Sequence, residues 1–348
     1  MKKPKLKTPP PPEIGFLDLD SPLFMAASAG EQVVYRALDE NGDVIGEFES
    51  AHEFANWLEV CSEFTVDTEF GFEGDFDKIE RETDYKIKDV EECHKAFDAI
   101  IERWVEQAGV DDWVGYISKA SGEENFRYAV AKMKPYKGNR SGMRKPHHLE
   151  ATRRYAKSHP KIKTARGSVE VDDVTCALAQ RRGHKGCVVG VDKDARGVKN
   201  THFFIPDEMD SPQFSSKKIV GRLYLNEKGE VKGYGDLFWL YQILAGDPVD
   251  NYGGCAKIGP AKAYKLLNDY DGVDARYLKN ALETVCEAYS KAFGDNHEHK
   301  CAVTGEKIKR HWKDILEEMC QLAYMKKSQK DVCPYIEIIQ EIYDESYC

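Results

Sequence analysis

Several features are missing from this 348-residue chain, and each absence narrows what it does. No apolar run approaches the ~20 residues that a bilayer-spanning helix needs, so no membrane partner is expected. The ten cysteines form no CxxC pair, which removes the zinc-ribbon and dithiol-redox signatures. Scattered cysteines in a chain of this length read as reduced thiols, and a cytoplasmic address is expected. No secretory signal opens the chain. Met1–Pro12 is dominated by lysine and proline and is expected to be a disordered tail. Acid is scarce along one long basic segment. Between Arg127 and Arg166 there are 13 Lys and Arg against the single Glu150, although the whole chain carries a net charge of −10. A concentrated basic footprint on an acidic protein points to a polyanionic partner rather than to general stickiness. Balanced i,i+4 acids, the mark of a solvated helix face, are missing there. Gly138, Gly142 and Pro146 break this segment into two helices or an arch.

Hydrophobic residues make up 41% of the chain, enough for a large core. The pattern of that core is α/β. Ile14–Asp18 reads as a strand buried on both faces and ending in Asp18-Leu19-Asp20. Val33–Phe48 reads as a hairpin, Ala51–Val60 and Val90–Gln107 as helices, and Trp113–Ser118 as the next core strand. Thr65–Glu82 is acidic and aromatic and reads as a solvated loop. The Asp67-Thr68-Glu69 triplet inside it lacks the partner motif of a proofreading exonuclease.

The acids cluster around a second strand. Glu170-Val171-Asp172-Asp173 opens a helix over Val174–Arg181, and Asp192-Lys193-Asp194 follows the strand Cys187–Val191. Open α/β sheets place chemistry at the carboxyl ends of their strands. Crowded carboxylates there repel one another unless cations neutralise them, and hard divalent ions want such oxygen ligands. Helix capping alone also explains Glu170 to Asp173, because negative charge is favoured at a helix N-terminus.

Further on, a strand at Thr201–Ile205 and a hairpin at 219–234 precede a helix over Asp236–Ala245. Gly246-Asp247-Pro248-Val249-Asp250-Asn251-Tyr252-Gly253-Gly254 then leads to Lys257-Ile258-Gly259-Pro260-Ala261-Lys262, the start of another helix. A glycine turn feeding a helix N-terminus can hold phosphate on backbone N–H groups. Ala275–Phe293 and Ile308–Lys327 complete the helices. His297, His299 and Cys301 lie between them without a fourth zinc ligand nearby.

The ordered set is Asp18-Leu-Asp20, Phe126-Arg127, Tyr136-Lys137-Gly138-Asn139-Arg140, Glu170-Val-Asp172-Asp173, Asp192-Lys-Asp194 and Gly246-Asp247-Pro-Val-Asp250-Asn251 with Ile258-Gly259-Pro260-Ala261-Lys262. It resembles the phage 5′→3′ exonuclease branch of the flap-endonuclease family, of the T-odd phage type, over roughly residues 14–270. The resemblance implies a PIN-like parallel-sheet nuclease core over 13–235, with a basic helical arch at 127–166. A helix–three-turn–helix and C-terminal helices are implied over 236–348. It implies two Mg²⁺ ions, replaceable by Mn²⁺, on Asp18, Glu170, Asp172, Asp173, Asp192, Asp194, Asp247 and Asp250. Lys137 and Arg140 are implied at the scissile phosphate. Arg127, Lys132, Lys134, Tyr136, Arg144, Lys145, Gly253, Lys257, Gly259 and Lys262 are implied on DNA, with K⁺ at the three-turn motif. The implied partners are duplex DNA with a free 5′ end, a flap or a nick, RNA–DNA hybrid, and replication proteins.

Two departures stand out. The aspartate usual after the second core strand is absent, leaving Glu123 or Glu124 as imperfect substitutes, and the glycine motif before Lys262 is stretched by one residue, placing Lys262 a step late. Two rivals account for part of the pattern. A haloacid-dehalogenase-type phosphatase would use Asp18 as nucleophile, and a non-catalytic flap- or duplex-binding protein would tolerate the missing aspartate.

Overall fold

The computed structural model describes residues 1–348 except 65–69, 120–124, 141 and 346–348. Asp67, Glu69, Glu123 and Glu124 therefore lie outside the described residues. The chain packs into two compact units. The larger comprises 1–21, 101–144 and 157–348, and the smaller 22–100 and 145–156.

In chain order the elements are β1 (Ile14–Asp18), α1 (Asp20–Ala29), β2 (Glu31–Leu38), β3 (Val44–Phe48), α2 (Ala51–Phe64), β4 (Glu80–Ile87), α3 (Val90–Ala108) and β5 (Asp112–Ile117). Next come α4 (Phe126–Val130), α5 (Leu149–Ser158), β6 (Ile162–Thr164), α6 (Val171–Arg182), β7 (Gly186–Val189), β8 (Thr201–Phe204) and β9 (Gln213–Ser215). The rest is β10 (Gly221–Leu225), β11 (Val231–Gly235), α7 (Asp236–Ala245), α8 (Pro260–Leu267), α9 (Leu278–Phe293), β12 (His297–Lys300), β13 (Lys307–Arg310), α10 (Trp312–Ala323) and α11 (Tyr335–Glu345).

The larger unit is built on a sheet of order β6-β5-β1-β7-β8-β9, parallel except for β9. β1 lies in the middle because its residues are apolar on both faces, with Phe16 and Leu17 buried. The chain leaves β1 toward β5 and β6, then returns through α6 to β7 on the other side. This reversal puts a crevice at the carboxyl ends of β1 and β7. Cys176 and Ala179 of α6 pack on Phe16 and Val188, which fixes the helix start over those strand ends. A second core is helical: α7, buried nearly all round, is enclosed by α8, α9, α10 and α11. The expected mixed α/β fold with a parallel central sheet is present.

The smaller unit holds the antiparallel sheet β3-β2-β4. Phe48, Phe54, Trp57 and Phe76 form its core. Residues 80–87 are thus a strand rather than the end of a solvated loop. Their alternation is masked by charge, and the pairing with β2 runs from Glu31↔Ile87 to Leu38↔Glu80.

The basic segment 127–166, expected as two helices or an arch, contains two helices. It breaks into α4, a 3₁₀ turn at Gly138–Arg140, α5 and the edge strand β6. α5 is tied down within the smaller unit, where Tyr155 donates to Asp98 (2.5 Å) and stacks on His94. The opening segment carries no helix or strand, yet it does not trail free. The Lys2 carbonyl accepts from Asp274 N (3.0 Å), and Lys3 pairs with Asp271. The hairpin β12–β13 and helix α11 complete the structure and were not apparent in the sequence. The nine described cysteines are buried and unbridged, and no described helix is long and apolar enough to cross a membrane.

Candidate metal centre and phosphate cleft

A cleft of about 290 Å³ opens at the carboxyl ends of β1, β5 and β7. Asp18, Asp20, Ser118, Lys137, Arg140, Glu170, Asp172 and Asp192 line it. Each acid is placed by backbone geometry. Asp18 ends β1, and its Oδ1 accepts from Asp20 N (3.0 Å). Asp192 caps a 3₁₀ turn by accepting from Asp194 N (2.8 Å), so its carboxylate and that of Asp194 converge. Glu170 and Asp172 sit at the start of α6. Asp247 and Asp250 come from the turn after α7, where Asp247 N donates to Tyr252 O (2.8 Å) and Tyr252 N returns a bond to Asp247 O (3.0 Å). Gly246 and Gly254 permit that turn. Both have positive φ, and a Cβ at Gly254 would stand 2.3 Å from Gly246 N.

Among the described residues two sets of three carboxylates each bring oxygens within 4.8 Å of one another: Asp172, Asp192 and Asp194, and Asp194, Asp247 and Asp250. Their electrostatic surroundings differ sharply. Lys193 Nζ lies 3.2 Å from Asp194 Oδ1 and bonds Asp247 Oδ2. Gln242 Nε2 donates to Asp194 (2.6 Å), and Arg140 donates to Asp250 (3.2 Å). Lys137 donates to Glu170 (2.5 Å). No described lysine or arginine forms an ion pair with Asp18, Asp172 or Asp192.

The acidities follow. Burial, the nearby Asp20 charge, and Asp192 and Glu170 push Asp18 up to about 8. Burial and Asp194 push Asp192 up to about 7, and burial with Glu170 and Asp173 raises Asp172 well above the carboxylate range. Burial would raise Glu170 and Asp194 too. Arg127 and Lys137 outweigh it at Glu170, and Lys193 and Gln242 do so at Asp194, so both stay below the ordinary range.

Three expected site residues have other roles. Arg127, expected on DNA, is 1% exposed. Its guanidinium donates to both oxygens of Asp173 (2.8 and 3.0 Å), to Glu170 (3.2 Å) and to the carbonyls of Leu322 and Tyr324 (each 3.0 Å). Asp173 is fully buried, and its oxygens also accept from Glu170 N and Lys326 N, so it holds Arg127 rather than a metal. Tyr136 is buried, and its hydroxyl spans Glu170 (2.8 Å) and Asp250 (2.9 Å), so its ring has no face for a base. These buried bonds define the turn that presents Lys137 and Arg140. Lys137 N donates to Asp250 O (3.0 Å), and Asn139 and Asn251 clasp the carbonyls of Pro248 and Pro135 (2.8 Å each).

Asp20 was missed as a ligand candidate. Its Oδ1 accepts from Ser118 N (2.9 Å) at the carboxyl end of β5. The first residue of α1 thus carries a carboxylate to the place where the expected aspartate after β5 is absent. The signal was its position two residues after Asp18, on the same side of an extended chain. Lys132, Lys134, Arg144, Lys145, Gly253, Lys257, Gly259 and Lys262 are exposed, and the Lys134 ammonium lies over Gly253. His297, His299 and Cys301 form no metal group among the described residues.

No family model matches the chain, and no curated protein does. Among solved structures it is similar to bacteriophage T5 nucleases. A T5 5′-exonuclease with bound zinc shares 13% identity over 72% of this chain and 90% of that one, with a TM-score of 0.38. A T5 flap endonuclease variant in a pseudo-enzyme–product complex with DNA and metal ions shares 12% over 66% and 90%, with a TM-score of 0.35.

Proposed function

We propose that the protein is a divalent-metal-dependent 5′→3′ exodeoxyribonuclease that hydrolyses phosphodiester bonds from the 5′ ends of duplex DNA. One observation carries the reading. Asp18, Asp172 and Asp192 line one cleft without an ion pair to any described lysine or arginine, beside two cations, Lys137 and Arg140, that line it too. A purely structural cluster would have its charges matched from within, as those of Asp173 and Asp194 are.

Asp172, Asp192 and Asp194 present oxygens only, which suits a hard ion such as Mg²⁺ or Mn²⁺. Asp18 and Asp20 supply further oxygens on the β1 side. Such an ion, when bound, polarises a phosphate oxygen and acidifies water. The rest is the work of side chains. Lys137 and Arg140, fixed by the clasped turn, position the scissile phosphate and neutralise the charge that develops on it. Tyr136 keeps Glu170 and Asp250 in register with that turn. Lys134, Lys257 and Lys262, with the backbone at Gly253 and Gly259, hold duplex phosphates, so sequence preference is slight. A K⁺ ion at this turn, flap cleavage and attack on RNA paired to DNA belong to the same reading.

The test is digestion of a 5′-labelled linear duplex in Mg²⁺ and in EDTA, with Asp172→Asn alongside. Label release that requires Mg²⁺ and falls at least ~100-fold in the variant is the expected outcome. Duplex binding without cleavage in Mg²⁺ or Mn²⁺ would instead establish a binding protein.

A further inference from the structure

The two carboxylate groups share Asp194 but differ in what already neutralises them. In the group of Asp194, Asp247 and Asp250 every carboxylate has donors from the chain. Lys193 bridges Asp194 and Asp247, Gln242 and Val249 N add bonds to them, and Asp250 takes Tyr136 and Arg140. Asp247 is 1% exposed and Asp250 6%, so little room is left for water to complete an ion's shell. In the other group, Asp172 and Asp192 accept only from neighbouring backbone N–H groups.

We propose that Lys193 is the resident cation of the Asp194–Asp247–Asp250 group and stands in for a second divalent ion, so that the protein free of DNA takes one such ion, at Asp172, Asp192 and Asp194. The inference rests on the metal-dependent reading of the cleft. It narrows the two ions that the family resemblance implies to one ion and one ammonium.

The physical case has three parts. An ammonium offers three N–H donors on a compact charge, and the Lys193 ammonium contacts two of the three carboxylates of the group. The position is built in, because the 3₁₀ turn capped by Asp192 begins at Lys193 and lays its ammonium against Asp194 and Asp247. A dication entering this group must displace the ammonium from buried carboxylates, and Lys193 would then lie beside it as a like charge. Entry at Asp172, Asp192 and Asp194 displaces no cation from Asp172 or Asp192. Lys193 is therefore a positioning residue: it holds Asp247 and Asp194 in place and sets the ion count.

The experiment is Mn²⁺ titration of the full chain without DNA, with free Mn²⁺ read by electron paramagnetic resonance. The wild type should bind one tight ion, Lys193→Arg one, and Lys193→Gln two, the last pair showing spin–spin broadening. Asp172→Asn should lose the single ion of the wild type. Two tight ions in the wild type overturn the proposal whatever the variants do. So does a folded Lys193→Gln protein, checked by circular dichroism, that still binds one. Loss of nuclease activity with the count still at one would remove the functional reading and leave this inference standing. A wild type that binds no ion ends both.

Discussion

Arg127 shows how a single residue separates holding a site from working in it. It has almost no solvent exposure to offer a phosphate, and its donors are all committed to carboxylates at the start of α6 and to carbonyls at the C-terminal end of α10. Removing it strands Asp173, which is fully buried, and breaking such a pair costs about 3–5 kcal/mol. Arg127→Ala should therefore lower the melting temperature by roughly 10 °C, while the salt dependence of DNA binding stays as in the wild type. A variant that melts normally but binds DNA with a shallower salt slope would return Arg127 to the DNA surface. Asp20 makes the opposite case. It reaches Ser118 N across the strand ends and raises Asp18. Asp20→Asn keeps that acceptor and removes one charge from the cleft. Mg²⁺ affinity should fall about 10-fold with little change in melting, since one outer carboxylate is typically worth that much. Unchanged affinity would mean that the absent aspartate after β5 has no replacement.

At the level of elements, what could be read from the sequence depended on period and on range. Apolar strands such as β1 and β7, and long amphipathic helices such as α3 and α9, announce themselves within a dozen residues. β4 does not, because Glu80, Arg81, Glu82 and Asp84 carry charge on both faces and only the partner strand β2 makes the segment a strand. The acids at the ends of β1 and β7 were legible as one crevice, since topology places strand ends together. The fate of Arg127 and Tyr136 was not, because burial was decided by Leu322, Tyr324 and Asp250, more than a hundred residues away. The turn from Gly253 to α8 is the element on which binding is best tested. Lys257, with positive φ, and Lys262 are exposed and lie close, Lys262 Nζ standing 3.5 Å from Lys257 O. Replacing both by alanine should weaken duplex binding evenly across sequences and cut the slope of log affinity against log salt by about 2, with single-turnover cleavage at saturating protein unchanged. A slope equal to that of the wild type would take the duplex off this turn.

Across the whole molecule, the uneven matching of charge makes stability depend on pH in a direction that is unusual for a protein. Asp18 at about 8 and Asp192 at about 7, with Asp172 also raised, hold protons in the folded state that the unfolded chain has already released. The folded state therefore binds more protons between about pH 4 and pH 8, and stability falls as pH rises through that range. Glu170 and Asp194 are depressed, so their stabilisation is complete above about pH 5 and does not change in the upper part of the window. Burial lowers His202 and His299, which work the other way, but burial also raises Asp250, so the raised carboxyls outnumber the lowered imidazoles. In EDTA the protein should melt several degrees lower at about pH 8 than at about pH 5.5, and Asp192→Asn should reduce that difference. Saturating Mg²⁺ should raise the melting temperature far more at the higher pH, because a bound cation does there what protons do at the lower one. A melting temperature in EDTA that rises steadily from about pH 5.5 to pH 8 would mean that these three carboxylates are matched by cations within the fold, and that the cleft was not built around a metal.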